Sequence, residues 1–273
     1  MKPVIKWAGG KTQLLRHITS LLPKRFNHYF EPFLGGGALF LELLSKSSTV
    51  NDINPELVNM YLQIKASPEA VIAALEDVDG NHETAADAKL FYYFIRDLFN
   101  KNMGTATPQQ AAMFIFLNKH CFNGLYRVNA KGFFNVPFNN KLQGKSFVPE
   151  DIYGLSERLQ TATILGGDFE RAIATAREGD FVFFDPPYAP LCPTSFTDYT
   201  KEGFGYDDNV RLANLYKDLS KRNVFCMLTN HDTAFIRDLY SEFSCKIVSV
   251  ARNINAKASG RKGEEVIITN YAV

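Results

Sequence analysis

Asp180-Phe181-Val182-Phe183-Phe184-Asp185-Pro186-Pro187-Tyr188 is the stretch whose reading decides the fold. Its four apolar residues are aromatic or β-branched and too few for a helix, so they read as a strand buried on both faces. A strand of that kind belongs to a sheet covered on both sides, which makes the chain α/β. The prolines then end the strand abruptly: proline has no N–H for the ladder and holds the preceding residue extended. Asp185 is therefore expected just past the carboxyl end of a core strand, where open α/β sheets bind ligands.

Those residues suit a particular chemistry. The exocyclic nitrogen of an aminopurine is a poor nucleophile because its lone pair is spread into the ring. The Asp185 carboxylate and the Pro186 carbonyl can each accept one of its hydrogens, which stabilises positive charge where it develops. Pro187 shapes the turn, and Tyr188 offers a ring for a base to stack on. An isolated Asp-Pro-Pro more often only caps a buried strand, so the rest of the chain has to supply the remainder of a site.

On the amino-terminal side, Tyr29 to Phe33 reads as a strand, Leu34-Gly35-Gly36-Gly37 as a tight turn and Ala38 to Leu44 as a helix. A second short strand ends in Asn51-Asp52-Ile53-Asn54, at the distance where dinucleotide folds carry the acid that holds a ribose. Phe40 stands where the third glycine of that fingerprint belongs. Its bulk disfavours a pyrophosphate and favours a cofactor with a ribose and no pyrophosphate, of which S-adenosylmethionine is the obvious one. Before these elements, Lys6-Trp7-Ala8-Gly9-Gly10-Lys11-Thr12 ends like a phosphate-binding loop, but Ile5 replaces the required first glycine. Nucleotide hydrolysis is excluded; a glycine turn flanked by Lys11 and the only tryptophan remains. A helix from about Gln13 to Leu22 follows.

From about residue 56 to 149 the pattern changes. Apolar positions at helical spacing run over 56–78 and 84–118, with polar interruptions at Asp79-Gly80-Asn81-His82 and from Gly104 to Pro108. This predicts a mostly helical insertion between the second and third strands of the sheet. No Asp or Glu occurs between Asp97 and Glu150, whereas Lys101, Lys119, Arg127, Lys131, Lys141 and Lys145 do. Lysines alone usually mean a solvated surface. Here Asn123-Gly124-Leu125-Tyr126-Arg127 and Phe134-Asn135-Val136-Pro137-Phe138 add a compact ribbon or loop able to reach base edges, as nucleic-acid contact requires.

The sheet resumes with Thr163-Ile164-Leu165, which ends in Gly166-Gly167-Asp168-Phe169. After Asp185, residues 189–205 suit a mobile flap, a helix runs from Asp207 to Leu219, and a strand from Val224 to Leu228 ends at Thr229-Asn230-His231-Asp232, with His231 in a loop or cap. Two strands, Lys246 to Val250 and Glu265 to Tyr271, close the chain around a basic hairpin tip at 257–262.

Composition excludes little else. The 273 residues are 46% hydrophobic with a formal net charge of +1, so a polyanion must be met by a local patch. Cys121, Cys192, Cys226 and Cys245 form no Cys-x-x-Cys pair, which predicts reduced thiols and no metal site. No apolar run reaches membrane-spanning length, and the expectation is a cytoplasmic protein.

Taken in order, Lys6 to Lys11, Glu31-Pro32-Phe33-Leu34-Gly35-Gly36-Gly37, Asp52-Ile53-Asn54, Phe134 to Phe138, Gly167-Asp168-Phe169, Asp185 to Tyr188 and the closing Ile268-Thr269-Asn270-Tyr271 resemble the Dam-like, D12-class adenine-specific DNA methyltransferases. Residues from about 64 to 115 lie outside the resemblance. It implies a Rossmann-like methyltransferase domain at 1–55 and 150–273, an inserted DNA target-recognition domain at 56–149, and monomeric action on double-stranded DNA. Trp7, Gly9, Lys11, Glu31, Pro32, Phe33, Gly35, Asp52, Ile53, Asp168, Phe169 and Asp185 would line the S-adenosyl-L-methionine site. Asp52 would hold the ribose hydroxyls and Asp168 the adenine amino group. Asp185, Pro186, Pro187 and Tyr188 would hold a target adenine extruded from the duplex. Relatives acting on GATC carry the Asn-Gly-Leu-x-Arg and Asn-Val-Pro-Phe segments found here. Lys6, Leu125, Arg127 and Pro137 would then read bases, with Asn123 and Asn135 beside them and Phe122 at the wedge position where the family often has Tyr.

Three rivals stay open on the residues alone. Methylation of a cytosine amine uses similar chemistry; a DNA-binding regulator could keep the fold without turnover, though the intact Asp185 argues against it; and a nicotinamide oxidoreductase is opposed by Phe40 in place of the fingerprint glycine.

Overall fold

The computed structural model describes residues 2–43, 45, 47–140, 144–190, 204–251 and 262–272. Strands β1 (Tyr29–Glu31), β2 (Ser48–Asp52), β3 (Ala162–Gly166), β4 (Phe181–Phe184), β5 (Phe225–His231), β6 (Ser244–Ala251) and β7 (Lys262–Thr269) form one sheet in the order β3-β2-β1-β4-β5-β7-β6. β1 is parallel to β2 and β4, and β4 is parallel to β5. β7 is antiparallel to both β5 and β6. The chain leaves β1 toward β2 and returns on its other side as β4, so the strand order switches direction at β1. Such a switch leaves a crevice beyond the carboxyl ends of the strands.

The predicted strand at 181–184 is present and every residue in it is buried. Phe181 stacks on Tyr29 with ring centroids 5.7 Å apart and meets Phe26 at 5.4 Å. Fully burying one such ring is worth roughly 1.5–3 kcal/mol, so these aromatics anchor β1 to β4 more firmly than the short ladder alone. β5 runs farther than the sequence suggested. Thr229, Asn230 and His231 are strand residues opposite Ile267, Val266 and Glu265 of β7. The expected loop is a strand because the antiparallel neighbour supplies partners for those backbone groups.

Packing divides the chain into two compact units, one made of 1–10, 34–44 and 51–167, the other of 11–33, 45–50 and 168–273. The second unit carries helices α1 (Leu15–Ser20), α8 (Phe169–Ala172), α9 (Tyr206–Lys221) and α10 (Ala234–Leu239). The expected helix at 13–22 shrinks to α1 after a 3-10 turn at Lys11–Gln13. Residues 191–203 of the predicted flap, 257–261 of the basic tip, Leu44, Lys141 of the basic run and Cys192 lie outside the described residues.

The first unit carries α2 (Ala38–Glu42), α3 (Pro55–Ala66), α4 (Pro68–Thr84), α5 (Ala88–Lys101), α6 (Pro108–His120) and α7 (Pro149–Gln160). α3 through α7 stand between β2 and β3, where helical spacing placed an insertion. Ser67-Pro68 splits the first expected helix, while the second interruption, at Gly104, holds. Asp79-Gly80-Asn81-His82 does not break α4. Asp79 and His82 are buried: the Asp79 carboxylate accepts the Ser146 amide at 2.8 Å and its hydroxyl at 2.5 Å. His82 lies against the rings of Phe116 and His120. A polar run that looks like a turn in sequence is here partly an inward face. α6 is buried continuously from Gln110 to Asn118 and forms the centre of its unit. Phe40, which replaces the fingerprint glycine, is fully buried in α2 under the Arg158 guanidinium at 4.3 Å. Arg158 also donates to the Phe40 and Leu43 carbonyls, closing the end of that helix.

Candidate active site and nucleic-acid interface

In the second unit the turn after β4 holds Asp185, Pro186, Pro187 and Tyr188. Lys11 Nζ lies 2.6 Å from Asp185 Oδ1, with the two side chains 6% and 17% exposed. The Thr229 hydroxyl donates to the same Oδ1 at 2.8 Å. Both partners therefore converge on one oxygen, and Oδ2 has no hydrogen-bond partner among the described residues. Burial pushes the Asp185 carboxyl above its ordinary range, opposed by the Lys11 ammonium and the Thr229 hydroxyl.

Tyr188 is fixed on three sides. Its hydroxyl donates to Glu265 Oε2 at 2.7 Å, its ring meets His231 edge-on at 4.8 Å, and Lys11 Nζ sits 4.6 Å from the ring centroid. Lys11 thus lies against one face of the ring. Burial, with the Asp185 and Glu265 carboxylates nearby, raises the phenol well above its usual value, so it remains a neutral donor. Asn230 Oδ1 accepts the Ala189 amide at 2.9 Å and thereby ties the turn back to β5. Thr229, Asn230 and Glu265 went unrecognised in the sequence because they sit on other strands; their only signal was polarity inside apolar strands.

A second group in this unit surrounds Asp168, which caps α8 by accepting the Glu170 amide at 2.9 Å. Its other oxygen pairs with Arg211 at 2.6 Å, and the Arg211 guanidinium lies 4.5 Å from the Phe169 ring centroid. Phe33 meets Phe169 at 5.3 Å. Glu31, at the end of β1, is 3% exposed and accepts the Tyr29 hydroxyl at 2.7 Å; Pro32 beside it is buried.

In the first unit Asp52 ends β2. Its carboxylate accepts the Gly35 amide at 2.9 Å and the Asn54 amide at 3.0 Å. Burial raises this carboxyl, against the pull of those amides. Gly35 has a φ of +50°, and a Cβ there would lie 2.6 Å from Trp7 Cδ1, so only glycine fits beneath the indole. Trp7 in turn stacks on Tyr126 at 5.8 Å. Ile53 is left 76% exposed beside the Asp52 carboxylate, and Gly9 is exposed with a φ of +79°. Asn54 caps α3 through the Glu56 and Leu57 amides.

The compact ribbon expected around 121–138 forms in this unit too. Cys121 bridges Phe138 and Val128 bridges Phe134, both antiparallel, and the Phe122 amide donates to the Pro137 carbonyl. Phe134, Val136 and Phe138 point inward and are buried, leaving Phe122, Asn123, Arg127 and Pro137 exposed and Leu125 half-buried. Asn135 holds Arg127: its side-chain oxygen accepts from Nε at 2.8 Å. That leaves the outer edge of the guanidinium for a ligand. Lys6 is exposed across Gly124, and burial together with Lys6 lowers the Lys119 ammonium.

With this geometry in view, comparison with known families is decisive. The model of D12 class N6 adenine-specific DNA methyltransferases matches residues 7–254. The chain belongs to that class. It is 43% identical over 277 residues to the Type II methyltransferase M1.LlaDCHI of Lactococcus lactis subsp. cremoris, covering 99% of this chain and 96% of that one. Identity to the Type II methyltransferase M.MjaIII of Methanocaldococcus jannaschii is 42%, covering 99% of each. A DNA adenine methylase of Escherichia coli K12 is 32% identical, over 98% of this chain and 94% of that one.

Methyltransferases of the D12 class use S-adenosyl-L-methionine, and the residues fit it. The Asp52 carboxylate retains lone pairs for a ribose diol, and the uncovered Ile53 beside it offers an apolar face for a purine. In the second unit Asp168 likewise keeps acceptor capacity and the half-buried Phe33 presents aromatic surface, whereas Phe169 is 4% exposed, packed between Phe33 and Arg211. Among the described residues no group of three or more His, Cys, Asp and Glu is arranged to hold a metal ion, and no helix is long and apolar enough to cross a membrane.

Proposed function

We propose that this D12-class enzyme methylates the N6 amine of adenine within GATC in double-stranded DNA, on a base rotated out of the stack, and that it acts as a monomer. The observation that carries the catalytic reading is the division of labour on Asp185. Lys11 and Thr229 occupy Oδ1, and Oδ2 is left to accept a hydrogen from the target amine. The Pro186 carbonyl, which accepts no hydrogen bond among the described residues, takes the second hydrogen. With both hydrogens held, the nitrogen lone pair turns toward the incoming methyl group and the growing positive charge lies against a carboxylate.

The bound cofactor supplies a methyl group on a sulfonium centre. With the methyl group supplied by that cofactor when bound, Asp185 Oδ2 would accept the proton that the methylated N6 amine must lose. The role of this chain is alignment of the two reactants and electrostatic support of the amine. Asp52 is assigned to the ribose hydroxyls, Asp168 to the adenine amine of the cofactor, and Trp7, Gly9, Glu31, Pro32, Phe33, Gly35, Ile53 and Phe169 to the remaining surface of that ligand. Tyr188 is assigned to stacking on the target base.

Base reading is assigned to the inserted region at 56–149 together with Lys6. The exposed Arg127, oriented by Asn135, supports a bidentate guanine contact, with Leu125 and Pro137 beside it and Phe122 as the wedge. The surrounding lysines hold phosphates and give salt-dependent affinity. Higher identity to the two Type II methyltransferases than to the E. coli DNA adenine methylase supports a modification role beside a restriction endonuclease.

The test is transfer of labelled methyl from S-adenosylmethionine to unmethylated DNA, with product nucleosides separated and modified sites mapped. N6-methyladenine confined to GATC is the expected result. Methyladenine at another sequence would preserve the catalytic assignment and discard the recognition one, whereas methylcytosine would overturn the target.

A further inference from the structure

Asn118 lies in the last turn of α6 and is 4% exposed. Its Oδ1 accepts the Lys6 amide at 2.8 Å, while Nδ2 donates to the Lys6 carbonyl at 2.7 Å and to the Gly124 carbonyl at 3.1 Å. The side-chain amide thus does for Lys6 what a neighbouring strand would do, satisfying both its N–H and its C=O. With its remaining hydrogen it takes hold of the turn that leads into Leu125 and Arg127. An asparagine suits this position because its amide carries an acceptor and two donors in one plane.

The apposition is close. Gly124 has a φ of +65°, and a Cβ there would lie 2.6 Å from Lys6 Cβ and 2.8 Å from Lys6 Cδ. Cys121 Sγ adds a contact to the Leu125 carbonyl at 3.3 Å. Lys6 and Arg127 are far apart in sequence, and each is exposed and aimed outward. What sets one against the other is a buried amide that no water can easily replace.

We propose that Asn118 is a positioning residue for sequence recognition, fixing the Lys6 segment against the Gly124–Arg127 turn so that both read a single register of DNA. The inference rests on the base-reading assignment above and adds a residue that touches neither DNA nor cofactor.

The test compares wild type, Asn118→Asp and the milder Asn118→Ser. Asn118→Asp keeps the acceptor for the Lys6 amide and turns an oxygen on both carbonyls. Three quantities are measured: kcat/KM on the mapped target duplex and on duplexes altered one base pair at a time, the single-turnover rate at saturating target duplex, and cofactor affinity by calorimetry. Discrimination against altered duplexes is expected to fall about tenfold in Asn118→Asp, the scale of one lost base contact, and by less in Asn118→Ser. The single-turnover rate and cofactor affinity should stay within about threefold of wild type, less than half of one tenfold step on a logarithmic scale. Unchanged discrimination in folded variants would overturn the inference, as would a proportional fall of all three quantities, which would mark a merely structural role. Should Asn118→Asp fail to fold, Asn118→Ser alone decides. A wild-type enzyme with no sequence preference would instead overturn the base-reading assignment, and this inference with it.

Discussion

Replacing Lys11 by Met tests the catalytic geometry most directly. The ammonium lies 2.6 Å from Asp185 Oδ1 in surroundings that leave the two side chains 6% and 17% exposed. An opposite charge at such range holds a carboxyl down by about 1–3 pH units. In wild type that pull opposes burial, and the Asp185 carboxyl is nonetheless raised. Without Lys11 only the Thr229 hydroxyl opposes burial, so the carboxyl rises further. Asp185 serves the amine only when ionised, so activity is lost as pH falls through its folded-state value. The acid limb of the rate should therefore move to higher pH, and on that limb each unit of displacement slows transfer about tenfold. Single-turnover methyl transfer at saturating cofactor and DNA, from about pH 5 to about pH 9, reads this without interference from binding. Lys11→Arg keeps the charge and should return the limb toward wild type. A Met variant whose limb superimposes on wild type, or which is slowed equally at every pH, would refute the reasoning.

Four other outcomes are expected. Asp185→Asn should lower kcat by about 10²–10³, because a donor then faces the amine hydrogen; turnover within threefold of wild type, on the order of 0.6 kcal/mol, would contradict the assignment. Glu265→Gln weakens the charge-assisted bond to Tyr188, a loss of about 1–2 kcal/mol, and should reduce fluorescence of 2-aminopurine placed at the target position, with kcat/KM for DNA falling about tenfold; an unaltered signal would separate Tyr188 from base stacking. Arg127→Ala should relax sequence preference while Lys145→Ala weakens all duplexes alike, and equal behaviour of the two would remove Arg127 from base reading. His120 is 4% exposed and burial lowers it to about 4. The unfolded chain takes up a proton near pH 6.5 and the native one does not until about 4, so stability is lost as pH falls across that window, by up to about 3 kcal/mol. Calorimetric melting of wild type and His120→Gln should diverge there, and parallel curves would show that His120 contributes nothing.

What the sequence determined was local and periodic. Phe181 to Phe184 could only be a doubly buried strand, the prolines could only end it, and Gly35 with Asp52 fell at the spacing of a ribose site. The same applies to the ribbon, whose inward Phe134, Val136 and Phe138 alternate with outward residues. The local pattern misled where polar residues face inward. Asp79 and His82 resemble a turn but lie inside α4, because Ser146, distant in the chain, satisfies the carboxylate. Thr229 to His231 resemble a loop but are a strand, because β7 pairs with them.

Tertiary structure alone decided the partners. That Lys11 and Thr229 share one oxygen of Asp185, that Glu265 holds Tyr188, and that Asn118 holds Lys6 are facts about residues 44 to 174 positions apart in the chain. Nothing in the spacing of a linear chain encodes them. A residue type announces which hydrogen bonds it is able to make, and only the packed fold, by excluding water from those groups, determines which of them it must make.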